Sequence, residues 1–263
     1  MELPLYQVDA FTNHLFGGNP AAVVLLEEWL EDDAMLKIAR ENNLSETGFV
    51  CRDGGGFHIR WFTPAVEVDL CGHATLASAH VLFKHGLTDN DEIRFASKSG
   101  ELVVSRDGDL LVLDFPSDPP RELAPEDQTG RAIALALGAT PLELHEGRYH
   151  LAVFESAAAV ASLEPDFAQL ADIPHYAVIA TAPGEDCDFV SRFFGPRVGV
   201  SEDPVTGSAH CILVPYWSHR LEKTHLHARQ ASARAGELFC EDLGQRVRIA
   251  GHAVEYLVGK IEV

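Results

Sequence analysis

A segment in the first half of the chain recurs in the second. Arg60-Trp61-Phe62-Thr63-Pro64-Ala65-Val66-Glu67-Val68 is followed by Cys71-Gly72-His73-Ala74. Arg192-Phe193-Phe194-Gly195-Pro196-Arg197-Val198-Gly199-Val200 is followed by Thr206-Gly207-Ser208-Ala209. Arg, an aromatic, Phe, Pro, two Val, Gly and Ala return in the same order. The offset is 132 residues through the second Val and 135 from the Gly. The second copy therefore carries three extra residues between its strand and its helix. Chance does not readily supply eight ordered matches, so one folding unit has been duplicated and the chain builds two similar lobes.

The best boundary between them is a run of Pro116, Pro119, Pro120 and Pro125 amid Asp and Glu, the composition of an exposed crossing segment. The lobes are read as 1–116, carrying Glu46 and the Cys71-Gly72-His73 turn, and 117–263, carrying Asp203 and the Thr206-Gly207-Ser208 turn. The last strand, 253–263, is read as one that packs back on the first lobe. Strands are expected at the opening residues, at 21–26, 45–51, 57–62, 93–97, 100–106 and 110–115. More follow at 149–154, 176–181, 189–194, 231–240, 246–250 and 253–258. Helices are expected at 31–43, 74–84, 131–137, 166–171 and 209–220. Strands outnumber helices without a regular βαβ alternation. The fold class is therefore α+β, two pseudo-symmetric lobes rather than a doubly wound sheet.

Charge narrows the function. With 40 acidic and 20 basic side chains the net charge is -20, which repels nucleic acid and anionic membrane surfaces. No run approaches the roughly 20 apolar residues of a membrane span. The opening Met1-Glu2-Leu3-Pro4 lacks the parts of a signal peptide. Cys51, Cys71, Cys187, Cys211 and Cys240 are odd in number and form no C-x-x-C pair. Reduced thiols and a cytoplasmic location are the expectation.

Each copy of the repeat ends a strand, turns at a Gly and starts a helix. The first N–H groups of such a helix have no internal partner and can hold a carboxylate or a developing oxyanion. Gly72 with Ala74, and Gly207 with Thr206 and Ser208, are thus candidate substrate-binding positions. Glu46 enters an apolar strand. It is either an exposed strand-end acid or a desolvated general base. Asp203, held extended by Pro204, is either a helix cap or a site acid. His73 at a helix start suits proton transfer or carboxylate binding. Ser208 is a cap or a ligand, and its Gly-Ser-Ala setting lacks the second Gly of a nucleophile elbow. Cys71 is either a packed thiol or one activated by a helix N-terminus. Its counterpart Thr206 rules out a symmetric pair of thiols. His73 and His80 share a helix face, but no acid completes a zinc motif, so no metal is expected.

Four stretches together resemble the phenazine-biosynthesis isomerase (PhzF-like) family. They are Asp9-Ala10-Phe11-Thr12 with Gly18-Asn19-Pro20-Ala21; Asn43-Leu44-Ser45-Glu46-Thr47; Phe62-Thr63-Pro64 through Asp69-Leu70-Cys71-Gly72-His73-Ala74-Thr75; and Gly199 to Ala209. They run in order through most of the chain. The resemblance implies a diaminopimelate epimerase-like fold, with a curved sheet around a central helix in each lobe and the active site between the lobes. It implies that Glu46 shuttles a proton between carbons, as in the family's isomerisation of trans-2,3-dihydro-3-hydroxyanthranilate. His73, Asp203 and Ser208 would support it, with no metal or organic cofactor. A small anionic substrate is expected, and a homodimer is implied on the same ground. The alternatives are an amino-acid epimerase and a non-catalytic binding protein of the same fold.

Overall fold

The computed structural model describes residues 1–54, 56–124 and 128–263. Gly55 of the Asp53–Gly56 turn and Pro125 of the proline run lie outside the described residues. In chain order the elements are β1 (Glu2–Ala10), β2 (Asn19–Leu26), α1 (Asp32–Asn42), β3 (Glu46–Asp53), β4 (Gly56–Phe62), β5 (Glu67–Val68), α2 (Gly72–Lys84), β6 (Glu92–Ser97), β7 (Gly100–Asp107) and β8 (Leu110–Pro116). Then come β9 (Arg121–Glu122), α3 (Gln128–Leu137), β10 (Glu143–Glu146), β11 (His150–Val153), α4 (Ala157–Ala161), α5 (Phe167–Asp172), β12 (Val178–Pro183) and β13 (Phe189–Gly195). A 3-10 turn at Pro196–Val198 leads to β14 (Val200–Asp203), α6 (Gly207–Leu221), β15 (His225–Gln230), β16 (Gly236–Asp242), β17 (Arg246–Gly251) and β18 (Ala253–Glu262).

The chain divides into two compact units: Met1–Asp114 with Ala250–Val263, and Phe115–Ile249. Each is a mostly antiparallel, curved sheet around one central helix. In the first unit that helix is α2, which packs on β1, β2, β3, β7 and β18. Small residues on several sides (Ala74, Ala77, Ser78, Ala79) let the strands approach, and nearly the whole helix is buried. A helix apolar all round is one that is surrounded. The second unit does the same with α6, which buries Ala209, Ile212, Leu213, Val214 and Trp217. Pro215 lies inside α6 and cannot bond back to Cys211. The carbonyl of Cys211 instead accepts the Asp118 N–H at 2.9 Å, which ties down the proline-rich segment.

The two units share a connection plan. In the first, β2 and β3 are parallel, and so are β4 and β6, with α2 as the crossover between the latter pair. In the second, β11 and β12 are parallel, and so are β13 and β15, with α6 as the crossover. The signature arginines do the same work in both. Arg60 grips Glu67 with two nitrogens at 2.7 and 2.9 Å. Arg192 grips Glu202 at 2.8 and 2.9 Å. Each guanidinium lies over the Phe two residues on, 5.2 Å from the Phe62 ring and 4.9 Å from Phe194. Arg60 holds the Glu67 carboxyl down at about 2.

These pairs correct the sequence alignment. Trp61 pairs with Val68, and Phe193 pairs with Asp203. Val68 therefore corresponds to Asp203 and not to Val200, and the three extra residues belong to the 3-10 turn ahead of β14.

The strand expected at 231–240 also differs. His225–Gln230 and Gly236–Asp242 are the strands, joined by a turn in which the Ala235 N–H donates to the Ser232 hydroxyl at 3.1 Å. Ser232 offers its own backbone an alternative to the ladder. His225 is exposed, whereas His227 stacks on Phe239 with ring centroids 4.9 Å apart.

Candidate active site

In the first unit, α1 ends at Asn43 in the left-handed region (φ 50), and its N–H returns to the Ala39 carbonyl. That stop turns the chain into β3, whose first residue, Glu46, pairs with Ala21 of β2. Two residues on, Gly48 passes α2 so closely that a Cβ there would lie 3.0 Å from Ser78 Oγ. The close approach brings Glu46 to the start of α2. Its side chain is 17% exposed, and Oε2 lies 3.2 Å from His73 Nε2. The other ring nitrogen, Nδ1, lies 3.2 Å from Asn19 Nδ2 and 3.5 Å from Cys71 Sγ. Burial pushes His73 down to about 3, so the ring is neutral. Glu46, Cys71 and His73 each present a ligating atom within 4.8 Å of the others, a spread that suits a hydrogen-bonded chain as well as a divalent ion.

Gly72 opens α2 behind Cys71, which sits at the N-cap with extended geometry and no side-chain cap bond. Ala74 is buried in the first turn, and its carbonyl accepts the Ser78 hydroxyl at 2.7 Å.

The corresponding turn of the second unit is braced differently. Thr206 is the N-cap of α6, again without a side-chain cap bond, and Gly207 follows it. Asp203 is not the cap: its Oδ2 accepts the Thr206 hydroxyl at 2.5 Å. Gln230, fully buried, ties the loop from both sides. Its Oε1 accepts the Thr206 N–H at 2.8 Å, and its Nε2 donates to the Asp203 carbonyl at 2.9 Å. Ser208 Oγ bonds the Tyr149 hydroxyl at 2.9 Å.

Sheet register shows what stands at each place in the two units. Thr47 faces Phe62, and Val178 faces Phe194, so Glu46 corresponds to Ala177. Cys71 corresponds to Thr206 and His73 to Ser208. At these matched places the first unit has an acid and an imidazole, and the second has Ala177 and Ser208.

Three residues with direct contacts here were not singled out by sequence reasoning. Asn19 stood only within a motif. Gln230 had a signal: it shares the inward parity of Leu226 and Ala228 in β15. Tyr149 had none, since an aromatic before an apolar strand reads as core.

The profile of the PhzC-PhzF family, described as phenazine biosynthesis-like protein, matches residues 8–259. The chain belongs to this family. An uncharacterized isomerase of Pseudomonas aeruginosa is 52% identical over the full length of both chains. A human phenazine biosynthesis-like domain-containing protein is 42% identical, covering 90% of this chain and 91% of its own. A crystal structure of a PhzF-family protein from Enterococcus faecalis superposes with a TM-score of 0.96 at 44% identity, all of both chains being covered. A hydroxyproline epimerase from Agrobacterium vitis, 10% identical, aligns over 99% of this chain and 92% of its own at a TM-score of 0.61 and shares the fold. Family members thus have an epimerase-like fold, and several relatives are named isomerases.

Proposed function

We propose that this chain is an isomerase that moves a proton between carbons of a small cyclic or amino-acid-like carboxylate, with Glu46 as the acid and base. The observation that carries this is the 3.2 Å contact between Glu46 Oε2 and the buried, neutral His73. A carboxylate that accepts from a neutral donor in a mostly buried setting keeps a fixed direction, which a proton-transfer group needs. The uncapped helix start at Gly72 offers N–H groups to the substrate's carboxylate. In the second unit, Asp203, Ser208 and the uncapped start at Gly207 are candidate binding positions of their own. No cofactor is assigned to the reaction.

The epimerase reading pairs Glu46 with Cys71 or Asp203 as the second acid or base. A matched pair of thiols, one in each unit, is not available to it, because the counterpart of Cys71 is Thr206.

The test is solvent-deuterium incorporation followed by NMR. The protein is incubated in D₂O with trans-2,3-dihydro-3-hydroxyanthranilate and a panel of amino and cyclic hydroxy acids, beside Glu46→Gln. Label entering one compound and lost in the variant supports the proposal. Exchange undiminished in Glu46→Gln overturns it, and inversion at a single carbon favours the epimerase.

A further inference from the structure

We infer that Asn19 is a positioning residue that fixes the tautomer of His73, so that the imidazole presents Nε2–H to Glu46. The inference deepens the proposed role of Glu46, but its central measurement does not depend on that role.

Asn19 is the first residue of β2, fully buried and paired with Ala10 of β1. Its backbone is fixed on both sides. Pro20 holds it extended. Gly18, at φ +58, turns so tightly that a Cβ would lie 2.0 Å from the Ala10 carbonyl oxygen. The side chain so placed directs Nδ2 at His73 Nδ1, at 3.2 Å. An amide nitrogen only donates, so Nδ1 must accept. The Cys71 sulfur, 3.5 Å from Nδ1 and 4.0 Å from Nε2, can donate or accept and leaves the choice to the Asn19 amide. A neutral imidazole carries a single N–H, which therefore sits on Nε2 and points at Glu46 Oε2.

Two consequences follow. His73 cannot take the substrate proton at Nε2, because that nitrogen already holds one. Nor can Nε2 serve as a metal ligand while it is protonated. Of the two, Glu46 is left as the base, and its Oε2 is held by the imidazole.

The experiment uses the whole protein labelled with ¹⁵N-histidine, and long-range ¹H–¹⁵N correlation reads which ring nitrogen is protonated. His73 is assigned by comparison with His73→Gln. The expected result in wild type is Nε2–H with a bare Nδ1, without substrate and across neutral pH. In Asn19→Asp the new carboxylate accepts from Nδ1, which gains a proton. Deuterium exchange by that variant should fall at least about tenfold, as the loss of an orienting partner does elsewhere. A merely structural Asn19 would leave the tautomer unchanged. Nδ1–H in the wild-type protein, or no change at Nδ1 in Asn19→Asp, overturns the inference. If Asn19→Asp does not fold, the wild-type tautomer decides alone. If no substrate exchanges, the tautomer still reports on Asn19, so failure of the isomerase reading is told apart from failure of this one.

Discussion

Thr75 and His210 make the same bond in the two units. Thr75 Oγ1 donates to the Cys71 carbonyl at 2.6 Å, and His210 Nδ1 donates to the Thr206 carbonyl at 2.9 Å. Each reaches back four residues to the N-cap of the central helix. The duplicated halves have kept the bond while changing the side chain that makes it, and the change has consequences for acid stability.

His210 is buried, and burial pushes it down to about 4 from 6.5; His80 is likewise held at about 4 and His73 at about 3. Below pH 6.5 the unfolded chain binds protons that the folded chain refuses, so stability falls as the pH drops toward 4. Each such histidine contributes about 1.4 kcal/mol per pH unit within that window. Urea midpoints should decline steadily from neutral pH to about pH 5. His210→Thr, which restores the Thr75 arrangement, should show a shallower decline, and a slope equal to wild type would contradict this account.

The two arginine–glutamate grips should not be equal in worth. Arg192 also donates to the carbonyls of Val160 and Leu163 at 3.2 and 2.9 Å, whereas the further side-chain partner of Arg60 is the exposed Asp32. Removing one partner of a fully buried pair costs about 3–5 kcal/mol, and these part-buried pairs should cost less. Arg192→Met is expected to cost more than Arg60→Met, as read by denaturant unfolding. The reverse order would show that the carbonyl contacts add nothing.

Gly18 and Gly108 separate backbone strain from site geometry. Both have positive φ, +58 and +60, but a Cβ at Gly108 meets nothing within 4 Å. Both alanine variants should lose about 1 kcal/mol or more of stability. Only Gly18→Ala should also lose deuterium exchange, because Asn19 is displaced with it. Normal exchange in folded Gly18→Ala would break the link between this turn and Glu46.

The pH profile of exchange offers a check on His73. Burial keeps it neutral down to about 3, so the rate should show no inflection near 6.5 from this group. An inflection there that disappears in His73→Gln would mean that the imidazole ionises during turnover.

Much of this was legible in the sequence. The repeat announced two alike units because its residues carry local instructions: an Arg to grip a Glu, a Gly to turn, small residues to begin a buried helix. Glu46 and His73 could be named separately from motif and position. Their contact could not, because it depends on Gly48 passing α2 closely, which is a fact of packing. The alignment slipped by three residues for a related reason. Val198 and Val200 look like Val66 and Val68, and only strand pairing shows that Glu202 is the counterpart of Glu67. Gln230 was missed because the Ser232 turn breaks what reads as one continuous strand.

The last strand gives the chain an order of assembly. β18 lies along the full length of β1, from Glu2 against Glu262 to Ala10 against Ala253, and the Val263 N–H bonds the Met1 carbonyl at 2.9 Å. During synthesis, β1 can pair with β2 early but leaves the ribosome long before its other neighbour, β18, exists. The second unit is contiguous from Phe115 to Ile249 and can close as it emerges. Of two halves with a common origin, the one translated later is complete first, and the half that carries Glu46 is finished only when residues 250–263 arrive.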